Sequence, residues 1–162
     1  MTARVGIGYD SHRFAAGRPL RLAGVTVPHT HGLVGHSDGD VALHAIVDAL
    51  LGAAAIGDIG TFFPDDDPQW KGADSLRFVK KVVETLQQSG LAVHQVDVTI
   101  IAERPKLAEK IGLMRAATAK ALGVEMGAVS IKAKTNEGMG WIGRAEGIAA
   151  LAVATVVQAA TG

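Results

Sequence analysis

The 162-residue chain contains no cysteine. That absence excludes disulfides, thiolate zinc sites, iron–sulfur clusters and thiol nucleophiles together. Aromatic residues are scarce, with four Phe, two Trp and one Tyr making 4% of the chain. Net charge is absent as well, because 16 Lys and Arg balance 16 Asp and Glu. Neutralising a phosphate backbone takes a basic surplus or stripe, so nucleic acid is not the expected main partner. Long apolar runs are also missing. The longest near the end, Gly147 to Val157, is too short and too alanine-rich to span a bilayer, so no membrane association is expected. Met1 to Val5 leads into alternating residues rather than the apolar run of a signal peptide. The expected compartment is the bacterial cytoplasm, or the plastid stroma for a processed mature form.

What is present is aliphatic. Hydrophobic residues make 48% of the chain beside 20 Gly, and mean hydropathy is +0.25. Ala, Val, Ile and Leu carry the apolar mass, which leaves apolar surface to bury between subunits. The length suits one domain, 1–162, with a core that needs no staples.

Alternation in Arg4 to His12 predicts a first strand, and two short runs around Ala23-Gly24 predict a hairpin. A helix is expected from Ser37-Asp38-Gly39-Asp40 to about Leu51, before Gly52. An acidic, turn-rich loop follows over Thr61 to Lys71. A second helix is expected over about 73–89, with Leu76, Val79, Lys80, Val83 and Leu86 on its core stripe. A strand over 93–102, a helix over about 107–122 and a strand over 129–135 come next. Gly138 to Gly143 reads as a glycine-rich loop. The last segment, 147–158, mixes helical alanine content with strand-like alternation; a strand there completes the layer. The expected fold is α+β, a two-layer sandwich of a four-stranded mixed sheet with helices on one face.

Asp10 and His12 lie two apart on a predicted strand and share a face. His44 lies one turn after Asp40 on the first helix. Two imidazoles and one carboxylate suit a divalent metal with one open position, as a Lewis acid requires. The same residues also fit an exposed strand-end pair and a partly buried helix histidine. His36 and Ser37 precede a helix N-terminus, a ready anion site, although plain capping by Ser37 or Asp38 accounts for them too. Asp58 could accept hydrogen bonds from a sugar diol, whereas Asp65 to Asp67 also suit a solvated turn. Lys132, Lys134 and Thr135 offer ammonium groups and a hydroxyl to phosphates, and Glu137 a carboxylate to a hard cation such as Mg²⁺; lysines are equally at home on an edge strand. No catalytic serine triad, Walker loop or dinucleotide fingerprint is present.

Together these segments resemble the 2-C-methyl-D-erythritol 2,4-cyclodiphosphate synthase family over nearly the whole chain. The resemblance rests on Gly8-Tyr9-Asp10-Ser11-His12, His36-Ser37-Asp38-Gly39-Asp40-Val41-Ala42-Leu43-His44, Gly57-Asp58-Ile59-Gly60 and Phe63-Pro64-Asp65. It continues through Asp97 to Ala102, Pro105-Lys106 and Gly143-Arg144-Ala145-Glu146-Gly147. It implies a lyase of the non-mevalonate isoprenoid pathway, a homotrimer with active sites between subunits. The implied substrate is 4-diphosphocytidyl-2-C-methyl-D-erythritol 2-phosphate, whose 2-phosphate attacks its β-phosphorus and expels CMP. Zn²⁺ is implied on Asp10, His12 and His44, and Mg²⁺ or Mn²⁺ through Glu137. His36 and Thr135 match the residues that stabilise the transition state. Ser37 matches a contact to the methylerythritol phosphate, and Asp58 and Gly60 match ribose contacts. Ala102, Pro105, Lys106, Leu107, Ala108 and Ala133 match the cytidine pocket. Phe63, Pro64, Asp65 and Asp67 resemble the loop covering the methylerythritol part.

Lys134 stands where many members have a threonine. Trp141 stands where an aromatic lines an axial cavity that, with the position of Arg144, holds an isoprenyl diphosphate in some relatives. The residues also admit a zinc phosphohydrolase using metal-bound water, and a trimeric small-ligand carrier without catalysis.

Overall fold

The computed structural model describes residues 2–160. Met1 and residues 161–162, the ends of the expected single domain and of its N-terminal reading, lie outside the described residues. Seven strands and five α-helices follow in chain order among the described residues: β1 (Arg4–Ala16), β2 (Leu20–Leu22), β3 (Val25–Val27), β4 (His31–Leu33), α1 (Val41–Ala54), α2 (Ile59–Phe62), α3 (Leu76–Gln88), β5 (Leu91–Ile101), α4 (Ile111–Leu122), β6 (Val129–Lys134), α5 (Gly140–Gly143) and β7 (Gly147–Gln158). None of the helices is long and apolar enough to cross a membrane.

The α+β expectation holds, with one correction. The mixed sheet has five strands, in the order β4-β1-β7-β5-β6, not four. The extra strand is β4, three residues that pair with Phe14 to Ala16 where β1 runs past His12. Three residues are too few to register as alternation. The last segment is a strand, as expected, antiparallel to both β1 and β5. Only β5 and β6 run parallel, and α4 makes the crossover that a parallel pair requires. β2 and β3 form the expected hairpin around Ala23 and Gly24, both at positive φ.

Helix α1 lies on β1 and β7, and small residues let it approach closely. A Cβ on Gly6 would run into the carbonyl oxygen of Ala49, and one on Gly8 into that of Ala45. Ala45, Ala49 and Ala53 recur every four residues along the facing side of α1, all buried. Ala150, Ala152 and Ala154 of β7 are buried beneath the same helix. Part of the Ala/Gly excess therefore builds this seam. In α3 the buried stripe is Phe78, Val79, Val82 and Leu86, while Lys80 is exposed and Leu76 and Val83 are only partly covered. The expected stripe was rotated by about one residue.

The opposite face of the sheet is apolar and open. Val5, Ile7 and Tyr9 of β1 sit beside Thr155, Val153 and Leu151 of β7. Ile7 is 69% and Val153 42% exposed.

Candidate metal centre and substrate clefts

The close seam of α1 on β1 brings His44 against Asp10 and His12. The Asp10 Oδ2 lies 2.8 Å from His12 Nε2 and 2.9 Å from His44 Nδ1, and the two ring nitrogens are 3.1 Å apart. Burial pushes the Asp10 carboxyl up, but the two imidazoles within hydrogen-bond reach hold it well below the usual carboxylate range. The three donor atoms form the one cluster of metal-ligand type among the described residues. Zinc bonds of 2.0–2.2 Å in a tetrahedron put ligand atoms about 3.3 Å apart. The triad needs only a slight opening to meet that spacing, so the donor set fits the metal the resemblance implies.

His44 is nearly buried, and both its edges are occupied. Its Nε2 lies 2.9 Å from Ser75 Oγ and 3.0 Å from Ser37 Oγ. Ser75 Oγ donates to Asp38 Oδ1 at 2.5 Å, and the Ser75 N–H donates to Asp38 Oδ2 at 3.0 Å. The His44 ring stacks on Phe78, which stacks on Phe63 at 4.4 Å between centroids. Trp70 packs edge-on to both phenylalanines.

The two acids of the His36 to Asp40 run, Asp38 and Asp40, divide their work. The helix start expected at Ser37 or Asp38 falls instead at Val41, with Asp40 as N-cap to the Leu43 N–H at 3.1 Å. Asp40 is fully buried and also accepts from the N–H groups of Ala23 and Gly24, each at 2.8 Å, tying the hairpin to α1. The helix end is therefore capped by its own carboxylate, which takes up one of its free N–H groups.

One cleft gathers Asp10, His12, His36, Ser37, His44, Gly60, Phe63 and Asp65. Its acidic flank is pinned to the metal side, since Gly72 N–H donates to His36 O at 2.8 Å and Asp38 N–H to Ala73 O at 3.0 Å. A single helical turn, α2, capped by Asp58, runs into the start of the predicted loop. The Thr61 N–H and hydroxyl, each 2.8 Å from its Oδ1, hold the Asp58 carboxyl below the usual range. Pro64 follows buried Phe63, and the Asp67 carbonyl lies 3.3 Å from His36 Nε2.

A second cleft of about 470 Å³ is lined by Ala102, Pro105, Lys106, Leu107, Ala108, Ala133, Lys134 and Thr135. It shares no lining residue with the first, so one chain does not bring His36 and Thr135 into a common cleft. Glu137 is exposed on the adjoining turn at φ 54, held by Glu103 Oε1, which accepts from the N–H groups of Asn136 and Gly138. The glycine-rich segment forms α5, where Trp141 borders a third cavity with Arg104, His12 and Glu146. Arg144 pairs with Glu146 at 2.7 Å on the surface.

Sequence reasoning missed Ser75, Phe78 and Trp70. Asp74-Ser75 before a helix reads as an ordinary cap, and the rotated stripe hid Phe78.

Residues 3–157 match the YgbB family. A 2-C-methyl-D-erythritol 2,4-cyclodiphosphate synthase of Salinibacter ruber is 55% identical over 156 residues, covering 96% of this chain and 99% of its own. The chain belongs to the YgbB family, the 2-C-methyl-D-erythritol 2,4-cyclodiphosphate synthases. Its fold matches a solved synthase in its CDP-bound form at TM-score 0.87 and 35% identity, over 95% of this chain and all of that one. It matches the bifunctional IspDF of Campylobacter jejuni at TM-score 0.93 and 38% identity. That match takes in 97% of this chain but spans only 42% of the bifunctional protein. Curated relatives, those of Salinibacter ruber and Alkaliphilus oremlandii among them, are named 2-C-methyl-D-erythritol 2,4-cyclodiphosphate synthase, and the Asp10–His12–His44 cluster is the metal-site candidate in this chain.

Proposed function

We propose that the chain, acting as one synthase domain, converts 4-diphosphocytidyl-2-C-methyl-D-erythritol 2-phosphate to 2-C-methyl-D-erythritol 2,4-cyclodiphosphate and CMP. The observation that carries the reading is the convergence of Asp10, His12 and His44 in a cleft bordered by His36 and Ser37. The identity of the relatives supports the same substrate.

The nucleophile is the substrate's own 2-phosphate, anionic at neutral pH because its second pKa is about 6. One of its oxygens bonds to the β-phosphorus while the bond from that phosphorus to the α–β bridging oxygen breaks. The bridging oxygen leaves on CMP with the electron pair. No protein base is required; the residues must hold two anions together and in line. Asp10, His12 and His44 would hold Zn²⁺, which when bound withdraws charge from a β-phosphate oxygen. Glu137 would hold Mg²⁺ or Mn²⁺ with the diphosphate. His36 and Thr135 donate hydrogen bonds where charge develops, and Ser37 binds the methylerythritol phosphate. Asp58 and Gly60 take the ribose. The Ala102–Ala108 segment with Ala133 takes the cytosine ring, and Lys134 offsets diphosphate charge at its lip. Phe63, Pro64, Asp65 and Asp67 cover the methylerythritol part. Trp141, with Arg144 near it in the chain, would border the axial cavity of the trimer, where an isoprenyl diphosphate would bind.

The active unit is a homotrimer in which one copy's metal cleft faces the next copy's cytidine cleft. Two observations support this: the clefts are separate within one chain, and the Val5, Ile7, Tyr9, Leu151 and Val153 face lacks a cover. Phosphorus NMR of the product tests the reaction. A cyclic diphosphate with CMP agrees with it; free inorganic phosphate means hydrolysis, and tight ligand binding without CMP release means a carrier.

A further inference from the structure

We infer that Ser75 is the positioning residue that sets His44 for metal binding, with Asp38 fixing the direction of its hydroxyl. The inference rests on the metal-assisted reading above and concerns residues outside the ligand set.

Ser75 directly precedes α3. It occupies the N-cap of α3, where a serine ordinarily accepts from the N–H groups of the first turn. Ser75 makes no such bond; Asp74 Oδ1 takes the Leu76 N–H at 2.9 Å instead. The Ser75 hydroxyl is fully buried and lies between Asp38 Oδ1 and His44 Nε2. Every polar group facing the Asp38 carboxylate from Ser75 and Asp40 is a donor: Ser75 Oγ and N, and the Asp40 N–H at 3.1 Å. A carboxylate accepts only, so the Ser75 proton points to Asp38 and its lone pair faces His44.

That direction decides which imidazole nitrogen is free. An acceptor at Nε2 calls for the proton there, so that when a metal takes the place of the contact between Nδ1 and Asp10, Nδ1, which faces Asp10 and His12, is free to bind it. A donor at Nε2 would call for the opposite tautomer, with a proton standing where the ion must bind. Ser37 Oγ also lies near Nε2 but touches no carboxylate among its hydrogen bonds, so its hydroxyl is not directed in this way. Phe78 fixes the plane of the ring; the Asp38–Ser75 pair fixes its protons.

The test measures zinc affinity of the full chain by competition with a chromogenic chelator. Removing a partner of this kind typically costs 10–100-fold in metal affinity. Ser75→Ala is expected to weaken zinc by that factor, and Ser75→Thr, which keeps the hydroxyl, to restore it to within a few fold. If the wild type binds zinc and His44→Ala does not, an unchanged constant in Ser75→Ala overturns the positioning role and leaves the metal site standing. A folded Ser75→Thr that fails to restore affinity overturns it too. If the wild type takes up no zinc, the metal reading itself fails. Should Ser75→Ala not fold, Asp38→Asn interrogates the same link from its other end. It presents an amide N–H to a donor and must weaken zinc by a similar factor; wild-type affinity there contradicts the inference.

Discussion

Gly8 lies beneath the carbonyl of Ala45 so closely that no Cβ fits between them. This contact sets the height of α1 above β1, and through it the reach of His44 toward Asp10 one pleat further along the strand. Gly8→Ala is therefore expected to lift the helix. Overpacking of this kind costs about 1–3 kcal/mol, and because the obstacle is backbone the loss should fall at the upper end. Urea denaturation checks the stability, and zinc content of the purified variant checks whether the triad opens with it.

Asp40 accepts three backbone N–H bonds from two elements in a fully buried position. Asp40→Ala removes the α1 cap and leaves the Ala23 and Gly24 donors without partners. We expect a loss of about 2–4 kcal/mol, from the cap and the stranded N–H groups together. A shift of the denaturation midpoint at unchanged slope is the expected signature.

Legibility differed from element to element. The Asp10–His12 pair could be read because strand alternation puts residues i and i+2 on one face, and β1 is long enough to display it. β4 could not, since its three residues exist as a strand only through pairing with Phe14 to Ala16. Ser37-Asp38-Gly39-Asp40 offers three residues with N-cap chemistry, and local propensity does not choose among them. The choice falls to Asp40 because the β2–β3 turn supplies two more donors to it. α2 and α5 are single turns, shorter than any periodicity can reveal. The triad was legible; its support by Ser75 and Phe78 was not, because both come from a helix 31 and more residues away in sequence, through packing alone.

His44→Ala removes one of three ligand atoms from the cluster. Zinc should be absent from the purified variant by elemental analysis, and CMP release should fall by a factor of 10³ or more, on the order of what losing a metal's charge stabilisation costs. The oligomeric state by light scattering should not change, since His44 faces the interior of its own chain.

Ile7→Asp places a carboxylate in the middle of the exposed apolar face of β1 and β7. The expected outcome is a folded monomer by analytical ultracentrifugation, with circular dichroism like that of the parent and no CMP release. A monomer with full activity would refute the placement of the site between subunits.

Complementation probes that placement from the other side. His44→Ala and Thr135→Ala chains, each inactive alone, are unfolded together and refolded as mixed trimers. Random assembly pairs an intact metal cleft with an intact cytidine cleft at about one interface in four. Activity on the order of a quarter of the parent's is expected; none at all would mean that both clefts serve one chain.

The most direct measurement of the central claim is CMP release from the authentic substrate before and after metal removal. CMP and cyclic diphosphate are expected in equal amounts from the loaded protein, with loss of both after dialysis against a strong chelator and recovery when Zn²⁺ is returned together with Mg²⁺. Turnover that persists undiminished in the stripped protein, or a product that is inorganic phosphate, would contradict that claim.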